Sequence, residues 1–73
     1  MHDELTQVDI DKMKDELTHR IQVLRPQLIE EVKVARSFGD LSENFEYKAA
    51  KREKNRNDSR IRYLENMIRT AKV

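Results

Sequence analysis

Cysteine is missing from this 73-residue chain, which excludes disulfides and any thiolate metal site. Glycine and proline occur once each, and aromatic residues make up only 5% of the sequence. That scarcity of turn formers and rings argues against a sheet protein. No apolar run approaches the ~20 residues of a transmembrane helix. The opening Met1-His2-Asp3-Glu4 is acidic and polar and lacks a signal-peptide pattern. The expected location is the cytoplasm, with no membrane partner. Short length sets a further bound: one domain at most, close to the lower limit for a self-sufficient core.

What is present is charge, at 40% of residues, the mark of long solvated helices. The net charge of +1 conceals an asymmetry. Residues 1–47 hold six Lys/Arg against eleven Asp/Glu, whereas residues 48–73 hold nine against three. Opposite signs favour pairing of two antiparallel helices. A basic second half is also suited to nucleic-acid phosphates. Composition leaves both readings open.

The first helix has a readable start. Thr6 suits the N-cap, Asp9 three residues on resembles a capping box, and Leu5 with Ile10 can close a hydrophobic staple. Apolar residues then recur at Ile10, Met13, Leu17, Ile21, Leu24, Leu28, Val32 and Ala35. Their spacing is an eleven-residue repeat. Pro26 removes a backbone donor and clashes one turn back, which predicts a kink near residues 22–26. The second helix carries a heptad seam: Ala50, Lys54, Asn57, Ile61, Leu64, Ile68 and Ala71. Its two polar members weaken the seam or fix its register. Folding the chain back places Ile68 by Met13, Leu64 by Leu17, Ile61 by Ile21 and Asn57 by Leu24. The expected fold is all-α: a long antiparallel two-helix coiled-coil hairpin. Its helices run over about 7–38 and about 44–72, with a tip at 39–43. Each arm of ~30 residues spans roughly 45 Å. So thin a hairpin has modest stability, and weak self-association of it stays open.

The tip holds the single glycine, Gly39, a helix stop, followed by Asp40 and Glu43. Asp-x-x-Glu before a helix reads as a capping box, with Asp40 the cap and Glu43 reaching back. The same carboxylates are hard oxygen ligands suited to Mg²⁺, which takes one or two protein carboxylates and completes its shell elsewhere. Two acids on a tip are half a site, able to complete one held by a partner. Lys48, Arg52 and Arg56 follow at helical spacing with Lys51 beside them, a phosphate-binding face or a solvated one pairing with Glu30, Glu31 or Glu46. For Arg56 the solvated face is preferred. Tyr47 and Phe45 can stack on a base or simply pack. His2 and His19 have no partner at ligand spacing and read as surface residues.

Gly39-Asp40-Leu41-Ser42-Glu43-Asn44-Phe45-Glu46-Tyr47-Lys48-Ala49-Ala50-Lys51 resembles the tip signature of the bacterial Gre transcript cleavage factors, the GreA/GreB family. The likeness continues through Arg25-Pro26-Gln27-Leu28-Ile29, Ala35-Arg36, Ser59-Arg60-Ile61 and Leu64-Glu65, over roughly residues 5–73. The resemblance implies an N-terminal coiled-coil domain that enters the secondary channel of RNA polymerase when the RNA 3′ end is displaced. Asp40 and Glu43 would then be the catalytic tip acids, holding a Mg²⁺ shared with the polymerase and helping position the attacking water. Two-metal hydrolysis is the chemistry implied. The polymerase performs the cleavage, so this chain would be an accessory factor and not an enzyme. The resemblance also implies a basic patch toward the extruded RNA, matched by Arg36 and Lys51, with Lys48 and Arg52 adjacent. Ser42 and Asn44 would support the tip by orienting the acids through hydrogen bonds, or would only cap the second helix, and Tyr47 would support the tip beside them. Phe45 departs from the family's usual alanine. The family's C-terminal FK506-binding-protein-like domain is not in this sequence. Two other readings remain: a channel-binding modulator without cleavage, and a non-catalytic coiled-coil module whose tip acids are caps.

Overall fold

The structure is a computed structural model that describes residues 5–39 and 44–71. Helix α1 spans Gln7–His19, runs through a π-helical turn at Arg20–Leu24, and continues as α2, Arg25–Arg36. Helix α3, Phe45–Thr70, returns antiparallel along the whole rod. The result is the expected two-helix hairpin, 50 Å long and 23 × 13 Å across. Both helices end one or two residues inside the expected bounds. Among the described residues, no helix is long and apolar enough to cross a membrane.

The start of α1 follows its sequence. Thr6 Oγ1 accepts from the Asp9 amide at 3.1 Å, and the Thr6 amide donates to Asp9 Oδ2 at 3.2 Å. Both halves of the capping box are therefore made, satisfying donors that the first turn leaves unpaired. Ile10 is buried and Leu5 half-buried, as the staple requires.

Pro26 acts through a widened turn. Without an amide at Pro26 the Gln22 carbonyl loses its ordinary partner, and the helix relaxes to five-residue spacing, the Arg25 amide bonding the Arg20 carbonyl. The widened turn corrects the expected seam. Ile21 is left 36% exposed, and Arg20 lies half-buried beside it. With Arg20 in place of Ile21, spacings from Ile10 through Met13, Leu17 and Arg20 to Leu24 become 3, 4, 3, 4. That is the heptad spacing of α3, so the π turn brings the first arm into step with its partner.

Asn57 shows how this register is held. It is 3% exposed, accepts from Arg20 Nη1 at 2.8 Å and donates to the Arg20 carbonyl at 3.3 Å. The Asn57 hydrogen bonds thus go to Arg20, one turn before the Leu24 expected from folding back. Glu16 joins the cluster, accepting from Arg20 Nε at 2.7 Å and from Arg60 at 2.9 and 3.2 Å. The hydrogen bond from Arg60, then that from Arg20, holds the Glu16 carboxyl down at about 2, from an ordinary 4.5. Arg60 is correspondingly raised, chiefly by its hydrogen bond to Glu16. Around this cluster the apolar core is Ile10, Ile61 and the fully buried Leu64. Lys54, the other polar seam residue, pairs with Asp58 at 2.9 Å. Among the described residues no buried side-chain polar atom lacks a partner. The polar seam positions are therefore satisfied, which buried polar groups need if they are not to destabilise.

Candidate functional site at the tip

The hairpin turns where α2 is stopped and α3 is capped. Beyond Arg36 the chain tightens: the Ser37 amide bonds the Lys33 and Val34 carbonyls, and the Phe38 amide bonds Ala35. Gly39 then takes φ +111°, a left-handed angle that any side chain would strain. The helix stop read from sequence is in place.

The opening of α3 selects between two readings. Its N-cap is Asn44, whose Oδ1 accepts from the Tyr47 amide at 2.9 Å. Asn44 takes the N-cap position that the Asp-x-x-Glu pattern also offered to Asp40, and Tyr47 stands at the N3 position. Asn44 also works across the hairpin, its Nδ2 donating to the Ala35 carbonyl at 2.6 Å. One amide thus satisfies an orphan donor of α3 and an α2 carbonyl, tying the two helix ends together. Of the two roles read for Asn44, orienting the acids or capping the helix, the hydrogen bonds made are those of a cap. Asp40, Leu41, Ser42 and Glu43 lie outside the described residues, as does His2; His19 is exposed.

Three basic residues of the expected patch stand over two rings. The Arg36 guanidinium stands 5.6 Å and the Lys51 ammonium 5.8 Å from the Tyr47 ring centre. Arg36 Nη2 also donates to the Tyr47 hydroxyl at 3.4 Å. That hydrogen bond, with the charge of Lys51 behind it, lowers the Tyr47 phenol from its ordinary 10.0. Lys48 stands 5.7 Å from the Phe45 ring. Cations over ring faces are held by the ring quadrupole without being neutralised. Among the described residues none of Arg36, Lys48, Lys51 or Arg52 enters an ion pair. Arg56 does, with Glu53 at 3.3 Å, as a solvated surface pair. Tyr47, Lys48, Lys51 and Arg52, with Asn55, line a shallow groove of about 460 Å³ along α3. The two aromatic residues separate here. Tyr47 is half-buried beneath its cations, whereas Phe45 is 79% exposed.

Among the described residues no three His, Cys, Asp or Glu side chains stand together as a metal site.

Comparison with known proteins points to one family. A family model described as Transcription elongation factor, N-terminal (GreA_GreB_N), matches residues 4–73. A Transcription elongation factor GreA of Lactococcus lactis subsp. lactis is 51% identical over 69 residues, and one of Mesoplasma florum is 49% identical. A third, of Bacillus licheniformis, is 48% identical. Each alignment covers 94% of this chain and 44% of the relative, so the chain spans less than half the length of these curated relatives. No solved structure matches it.

Proposed function

The chain belongs to the family of GreA/GreB transcription elongation factor N-terminal domains, and from that premise we propose that its tip enters the secondary channel of a stalled bacterial RNA polymerase and stimulates cleavage of the displaced RNA. Asp40 and Glu43 offer carboxylate oxygens to a Mg²⁺ shared with the polymerase. When bound there, that ion supplies charge stabilisation at the scissile phosphate and a more acidic water. Arg36, Lys48, Lys51 and Arg52 attract and align the RNA backbone. Gly39 and Asn44 mark the ends of the two helices on either side of the acidic segment. The hydrolytic machinery belongs to the polymerase, and this chain completes it.

The observation that carries this reading is the Asn44 cap. Helix α3 already has its capping side chain, so the capping role that would explain Asp40 and Glu43 without any partner is filled. Cations on the adjacent face, without an ion-pair partner among the described residues, point the same way, toward an anion from outside.

The test uses the full-length factor with halted polymerase and Mg²⁺, following release of short RNA. Asp40→Ala with Glu43→Ala is expected to lower the cleavage rate on the order of 100-fold, the scale of removing a positioned electrostatic group. Polymerase binding should persist. Unchanged cleavage would refute the role of the acids. Slowed nucleotide addition by the unmodified factor, with no cleavage product, would favour a channel-binding modulator.

A further inference from the structure

The basic groove has a counterpart on the other side of the rod. Between α2 and α3 a second groove of about 360 Å³ has Val34, Ala35, Phe38 and Ala50 as its floor. Glu30, Glu31 and Glu46 stand around it, and no Lys or Arg lines it. Val34 and Phe38, one turn apart, are 47% and 63% exposed. Glu30 has only a solvated contact with Lys33 at 4.0 Å, and neither Glu31 nor Glu46 forms an ion pair among the described residues. The two grooves face apart. On α3, Lys48 and Arg52 each lie two residues beyond Glu46 and Ala50, about 200° around the helix. On α2, Arg36 stands in the same relation to Val34.

We propose that this acidic-rimmed apolar groove is a contact surface for a cationic amphipathic segment of the polymerase channel wall. The assignment rests on the channel reading above and adds to it a second, oppositely charged contact. Three carboxylates repel RNA phosphates, so nucleic acid is not the occupant. A Lys or Arg side chain suits both parts of the surface, its aliphatic stem covering the floor and its charged head meeting the rim. A rod 23 × 13 Å across that turns its basic face to RNA presents this groove to the protein opposite. A second copy of the chain would have to seat its basic face in the groove, a head-to-tail contact that builds rings or filaments rather than a two-fold dimer.

The test places a photo-crosslinking residue, benzoylphenylalanine, at Val34 or at Asn55 of the full-length factor bound to halted polymerase. Val34 is expected to label a polymerase peptide rich in Lys or Arg, and Asn55 to label RNA. Label at Asn55 alone overturns the groove assignment and leaves the channel reading standing. Silence at both positions overturns both. Label from Val34 to RNA, or to another copy of the factor, also overturns it. Independently, Glu31→Lys with Glu46→Lys should weaken polymerase binding on the order of 10-fold, more at low salt, as rim charges do. Both positions are exposed, so an unaltered circular dichroism spectrum is expected. Unchanged affinity across the salt range would overturn the electrostatic part of the assignment.

Discussion

The two halves of this rod use the same residue types for different ends. At the base, arginines meet a carboxylate: Arg20 and Arg60 converge on Glu16 while Asn57 ties the arms together. The apolar core lies there too, in Ile10, Ile61 and Leu64. At the tip the core shrinks to Ala35, and the cations lie over Tyr47 and Phe45 without a carboxylate partner among the described residues. Charge at the base is neutralised and serves cohesion. Among the described residues, the basic charge at the tip has no ion-pair partner. A thin hairpin can concentrate its stability far from its working end because stability varies along such a rod.

The largest expected effect tests where the cohesion lies. Leu64 is fully buried, so Leu64→Ala should cost about 2–5 kcal/mol, read by urea unfolding with circular dichroism. Val34→Ala, at the exposed tip groove, should stay within about 0.5 kcal/mol of the parent. Comparable losses at both sites would erase the contrast between the halves.

A smaller effect is expected at the hairpin's turn. Asn44→Ala removes the α3 cap and the bond to Ala35, at a cost of about 0.5–2 kcal/mol for the cap. Amide hydrogen exchange should quicken at Tyr47 and its neighbours while the Leu64 region keeps its protection. Asn44→Asp retains the capping oxygen but not the donor to Ala35, separating the two contributions. Faster exchange spread evenly along α3 would show that the tip is not an independent unit.

The smallest effect is one of pH. The Glu16 carboxyl titrates lower in the folded chain than in the unfolded one. Its contribution is therefore present above the unfolded value of 4.5 and is lost as pH falls toward 2. Glu16 and Arg60 are 33% and 45% exposed, so solvent screening keeps the energy to about 1 kcal/mol or less. The melting midpoint of Glu16→Gln should lie a few degrees below the parent at pH 6, and the gap should close by pH 2. A gap that does not depend on pH would mean that Glu16 acts through packing.

Local features were legible because their causes lie within a few residues. The Thr6–Asp9 box, the Gly39 stop and the seam of α3 all follow from neighbouring side chains and came out as read. The start of α3 stayed open between Asp40 and Asn44, because Asp-x-x-Glu and Asn-x-x-Tyr offer competing starts, and only the seating of α3 against α2 selects between them. Asn44 was favoured by a second bond, to the Ala35 carbonyl, invisible in a linear pattern. Arg20 was overlooked for a related reason. An arginine is not expected on a seam, and only its pairing with Asn57 and Glu16 makes that position favourable.

Periodicity and charge, properties of consecutive residues, determined by themselves that this chain is two amphipathic helices folded back at its single glycine. The basic cluster after the tip was likewise written in the spacing of Lys48, Lys51 and Arg52. Tertiary structure alone decided the register, because Asn57 meets Arg20 only after the π turn has rotated the first arm. It also decided that the cations would lie over rings on one side while Glu30, Glu31 and Glu46 gather on the other. Both depend on distances between residues far apart in the chain, and packing is what sets those distances.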